Sequence, residues 1–114
     1  MILSMLRFDL KPGGVPALAE VFNRHQILET AIHVEGCRNL VLAAPDTSGD
    51  TAYVLGLWDD EAAYQRWIDH PERGVATEDL LQLVAGEFEP TAPAELWSVL
   101  RAVNDASASP VAGS

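Results

Sequence analysis

Two aromatic side chains with polar edges, Trp58 and Tyr64, stand six residues apart across the stretch Tyr53-Val54-Leu55-Gly56-Leu57-Trp58-Asp59-Asp60-Glu61-Ala62-Ala63-Tyr64. The stretch passes from an apolar run into an acidic helix start, so both rings can project into one cleft. An indole and a phenol together offer flat apolar surface and two hydrogen-bond donors, a set suited to an oxygenated ring. The same residues also suit a core in which the N–H and O–H are satisfied locally, and both readings stay open. Three histidines, His25, His33 and His70, are the candidates for proton transfer near neutral pH. His25 follows Phe22 by three residues and Leu18 by seven, near the apolar face of a helix. There it serves either as a satisfied core residue or as a proton carrier. His70 precedes Pro71 at a helix end, where a positive imidazole meets the helix dipole favourably. Trp67, three residues past Tyr64, adds stacking surface. The expected site therefore has Trp58, Tyr64 and His25 as catalytic residues, with Phe22, Trp67 and His70 around the substrate.

Other chemistries find less support. The histidines are scattered, with no His-x-His or His-x₃-His pair, so no metal site is expected. Cys37 is the only cysteine, which excludes an internal disulfide and a thiolate cluster, and it reads as a small packing residue. Gly13-Gly14 lacks the further glycines and the lysine of a phosphate cradle and reads as a turn. Arg66 and Arg73 read as solvated or paired with acidic neighbours rather than bound to substrate. Glu20 and Glu29 are assigned to a wet face.

The elements that must position these residues follow from hydrophobic spacing. Residues 2–10 read as a strand closed by Lys11-Pro12-Gly13-Gly14. From Pro16, the residues Leu18, Val21, Phe22, Leu28 and Ile32 imply one amphipathic helix ending near Gly36. Residues 40–44 and 51–58 form a hairpin around Pro45-Asp46-Thr47-Ser48-Gly49-Asp50. Asp59 or Asp60 caps a second helix that runs to about Asp69 and is stopped by Pro71. A short helical stretch from Thr77 to Val84, a connection over 86–93 and a last strand over 96–103 complete a domain of residues 1–103. Residues 104–114, rich in Ala, Ser, Pro and Gly, are expected to form a flexible tail.

The chain has 114 residues, enough for one core, and 48% of them are hydrophobic. A net charge of -10 without a basic cluster argues against nucleic acid and anionic membranes as partners. Residues 1–6 are apolar but give way to Arg7 and Asp9, short of a signal peptide, and no run approaches a membrane span. A cytoplasmic location is the expectation. In the first strand, Ile2, Leu6, Phe8 and Leu10 face one way while Leu3 and Met5 face the other, so the sheet needs cover on both sides. The helices supply one cover, and a second copy of the chain is expected to supply the other.

The β-α-β-β-α-β order, the segment His33-Val34-Glu35-Gly36-Cys37-Arg38 before the second strand and the Trp58 to Tyr64 segment after the third resemble the antibiotic biosynthesis monooxygenase family over most of residues 2–103. The resemblance implies an α+β, ferredoxin-like antiparallel sheet with helices on one face, two copies joining as a homodimeric α/β barrel. It also implies an aromatic-lined pocket in each subunit, with Trp58 and Tyr64 holding the ring oxygens of a polycyclic aromatic polyketide during oxygenation by O2. Members of the family work either without metal or organic cofactor or with reduced flavin, FADH2 or FMNH2, delivered by a flavin reductase. Val54 stands where the polyketide oxidases carry Asn, and Ile68 where haem-degrading members carry a ligand His. Two other classes remain as alternatives: a non-oxidative polyketide cyclase or isomerase, and a non-catalytic dimer that binds an aromatic ligand.

Overall fold

A computed structural model describes residues 1–86 and 94–103. Its elements are β1 (Ile2–Asp9), α1 (Val15–Arg24), α2 (Ile27–Ala31), β2 (Cys37–Ala43), β3 (Thr51–Trp58), α3 (Glu61–Ile68), a 3₁₀ turn (Pro71–Gly74), α4 (Thr77–Leu83) and β4 (Glu95–Ser98). The strands form one antiparallel sheet in the order β2-β3-β1-β4. Period-two alternation sends Ser4, Leu6 and Phe8 of β1 to the helix side, opposite Gly56, Val54 and Ala52 of β3. The helices bury this face in two adjoining clusters. One is built on Phe8, Leu18 and Phe22, the other on Trp58, Ala63 and Tyr64.

The expected barrel is not formed: the sheet is open, and β2 and β4 are its edges. Four strands are too few to curl into a closed barrel, which takes about eight. On the face away from the helices, Leu3 and Met5 of β1, Val41 of β2 and Leu55 and Leu57 of β3 are intermediate or exposed.

Two further expectations are corrected. The single helix over 16–36 is two helices, because Gln26 adopts the left-handed conformation (φ 53°, ψ 43°). Continuing α1 would have carried His25, Gln26 and Glu29 along the stripe begun by Leu18 and Phe22. The break lets Ile27, Leu28 and Ala31 pack inward instead. The last strand ends at Ser98 rather than at 103, since β4 runs antiparallel to β1 and reaches its first residue with the pair Ile2–Ser98. Beyond it, the Val99 N–H donates to the Met1 carbonyl at 3.0 Å, and β4 has no further paired residue among those described. Residues 87–93 of the expected connection, and the tail 104–114, lie outside the described residues. Among the described residues, no helix is long and apolar enough to cross a membrane.

Candidate active site

Between the sheet and the helices lies a cavity whose floor is Ser4, Leu6, Phe8, Leu40 and Val54. Phe22, Ile27, Leu28 and Ala31 line it from α1 and α2, while Trp58, Tyr64 and Trp67 line it at the junction of β3 and α3. Arg73, Thr77 and Leu80 come from the 3₁₀ turn and α4. The wall is thus mostly apolar with a few polar groups, the usual make-up of a small-molecule site.

Local chemistry fixes the α3 side. Asp60 caps the helix, its carboxylate accepting the Ala63 N–H at 2.9 Å. Arg38 grips Asp59 through two hydrogen bonds of 2.6 Å, which hold the Asp59 carboxyl below the usual carboxylate range. Gly36, at φ 90°, lets the preceding loop lie against the helix; a Cβ there would stand 2.6 Å from Cβ of Ala63. Tyr64, on the same helix, is thereby carried to the cavity one turn from the β3 end.

Trp58 is 1% exposed, and its indole N–H donates to Oγ of Ser4 at 2.9 Å. Ser4 Oγ in turn lies 3.5 Å from the Gly56 carbonyl. Gly56 is required by this packing, since a Cβ there would lie 2.7 Å from Nε1 of Trp58 and 2.8 Å from Oγ of Ser4. The donor that the family resemblance gives to a ligand oxygen is therefore engaged inside the fold, and Trp58 presents ring surface. Tyr64 meets that ring edge to face, with centroids 5.4 Å apart. Its hydroxyl accepts the Ala94 N–H at 2.6 Å, and among the described residues no acceptor takes its own proton. The phenol remains a donor.

The structure brings Trp58, Tyr64, Phe22 and Trp67 together on this cavity, whereas among the described residues its lining includes no histidine. His25 lies outside, with Nε2 2.7 Å from the Asp79 carboxylate; this contact, first, and Arg24 hold Asp79 below the usual carboxylate range. His70 caps the 3₁₀ turn, its Nδ1 accepting the Glu72 N–H at 3.0 Å, and its ring lies 5.6 Å from that of Trp67. His33 is exposed. Cys37 is half-buried, and burial pushes its thiol up, away from the reactive thiolate. Among the described residues, no three His, Cys, Asp or Glu side chains form a metal-binding group.

Besides the apolar residues of the wall, three polar lining residues were missed from sequence: Ser4, Arg73 and Thr77. Ser4 carried a signal, being the lone polar residue on the inward face of β1 among Ile2, Leu6 and Phe8. Arg73 and Thr77 carried none, because their approach depends on how the chain folds back after Pro71.

A family model described as antibiotic biosynthesis monooxygenase matches residues 1–79. No curated protein matches the sequence. Among solved structures, SnoaB from Streptomyces nogalater, a cofactor-independent oxygenase, is similar with a TM-score of 0.68 at 16% identity, covering 91% of this chain and 97% of its own. A protein of unknown function from Nitrosomonas europaea is similar with a TM-score of 0.69 at 20% identity, covering 92% and 94%. A conserved protein from Methanosarcina mazei Go1 gives 0.68 at 17%, covering 84% and 89%. At these identities the structural likeness speaks for the fold alone.

Proposed function

This chain belongs to the antibiotic biosynthesis monooxygenase family, and from that premise we propose that its cavity is the active site of an oxygenase for electron-rich aromatic compounds of the aromatic-polyketide kind. The observation that carries the reading is the pairing of Trp58 and Tyr64 on an apolar cavity, one presenting a ring and the other a phenolic proton. A phenol or anthrone that loses a proton becomes electron-rich enough to reduce O2 itself. At an anthrone CH2, O2 adds to the ring carbon; one oxygen stays as a carbonyl and the other leaves with both hydrogens as water. The protein's part is to hold the ring in a dry pocket and to stabilise the oxygen anion with a fixed donor, here the Tyr64 O–H. The similarity to SnoaB supports a route without cofactor. We also read the active form as a homodimer, since part of the sheet face opposite the helices is apolar and accessible.

Oxygen uptake with an anthrone, with and without reduced flavin, tests this. The expected result is uptake without flavin, a product with one oxygen gained and two hydrogens lost, and a kcat about a hundredfold lower in Tyr64→Phe. Uptake only with reduced flavin would replace the cofactor-free route by one fed by a reductase. A product with no added oxygen would make the chain a cyclase or isomerase, and tight binding without turnover a ligand-binding protein.

A further inference from the structure

The floor of the cavity changes character along the sheet. It follows β1 from Ser4 through Leu6 to Phe8, about 13 Å at the usual rise of a strand. At the Ser4 end stand the hydroxyl that accepts the Trp58 N–H and, against that indole, the Tyr64 phenol with its proton available. Towards Phe8 the wall is hydrocarbon, with Leu6 and Val54 on the sheet and Phe22, Leu28 and Leu80 on the helices. These side chains pack with Phe8 in one cluster, whereas Trp58 and Tyr64 belong to the other. The backbone adds no spare polar group under Val54, because β3 is an inner strand and Val54 is paired with Leu6 on one side and Leu42 on the other. Of the remaining polar lining, Thr77 keeps its Oγ1 over the 3₁₀ turn, 3.5 Å from where a Cβ on Gly74 would stand, and Arg73 has an interaction of its own.

Building on the reading of the cavity as an aromatic site, we infer that it selects rings oxygenated at one end and bare at the other, with the oxygen beside Ser4 and Tyr64 and the hydrocarbon end over Val54 and against Phe8. A hydroxyl carried to the hydrocarbon end leaves water for a place without a partner and loses affinity. A bare ring edge or an alkyl group at the same place gains about fourfold in affinity for each CH2 buried.

The test compares 2-naphthol, oxygenated at one end, with 2,6-dihydroxynaphthalene, oxygenated at both. Calorimetric titration measures each on the wild-type protein, on Val54→Asn and on Val54→Thr, the last keeping nearly the shape of valine so that the fold is preserved. On the wild type, naphthol is expected to bind about tenfold or more tightly than the diol. Each Val54 variant gives the second hydroxyl a partner and should narrow that gap by about threefold or more. Equal binding of the two rings on the wild type overturns the assignment. A gap that persists unchanged in the Val54 variants does so too, since it then reflects only the general hydrophobicity of the two compounds; in both cases the aromatic cavity stands. Failure of both rings to bind the wild type removes the aromatic site and the selectivity together.

Discussion

Ser4 shows how one hydroxyl can organise an aromatic wall. Within an apolar strand face it accepts the Trp58 N–H, and Gly56 opposite leaves room for the indole to lie across the sheet. Replacing Ser4 by Ala leaves that N–H buried without an acceptor, which costs about 1–3 kcal/mol. Urea denaturation should show the loss; an unchanged midpoint would mean that the indole finds another acceptor. The aromatic members of the site were legible in the sequence because ring spacing across a strand end is a local property. The use of their polar atoms was not. That Trp58 is satisfied by a residue 54 positions away depends on the register of β1 against β3, which no local pattern reveals. Tyr64 illustrates the same limit, for its partner Ala94 is brought to it from 30 residues further on.

At the scale of elements, the cavity depends on how α4 is held. Asp79 of α4 accepts from His25 at 2.7 Å and from Arg24 at 3.2 Å, both at the end of α1, and Thr77 and Leu80 on the same short helix face the cavity. The Asp79 carboxyl is held below its ordinary value chiefly by the His25 hydrogen bond, so the unfolded chain takes up its proton before the folded chain does. Its contribution is present above the ordinary carboxylate range and is lost as pH falls through the depressed folded value. Stability followed by urea midpoint should fall on acidification, with a shallower slope in Asp79→Asn; equal slopes in the two proteins would remove this link from the account. The pairing is not legible in the sequence, whose spacing makes His25 a member of one long helix, whereas the Gln26 break turns the chain immediately beyond it. Strand positions were easier to read, since alternation and turn residues mark β1 and β3 within a residue or two. The edge strand β4 was harder, because its extent depends on its pairing with β1, a partner 90 or more residues away in sequence.

For the whole molecule the open sheet is the governing feature. Val41 and Trp97 are 43% and 52% exposed, and Leu3, Met5, Leu55 and Leu57 are accessible beside them. An apolar patch of this kind marks a surface for association, and the proposed homodimer would cover it. Leu55→Glu should break that association, since an unpaired carboxylate forced into an interface costs about 3–5 kcal/mol, or a Kd raised more than a hundredfold. Sedimentation of the wild type as a monomer at micromolar concentration would sink the homodimer. The same distribution of side chains also gives the molecule three distinct optical environments. Trp58 is sealed with its N–H bonded to Ser4, Trp67 stands at the cavity beside His70, and Trp97 lies on the opposite side of the chain, half in water. Fluorescence from the first is shielded from dissolved quenchers and that from the last is open to them, so filling the cavity and covering the sheet can be watched as separate signals from an unlabelled chain.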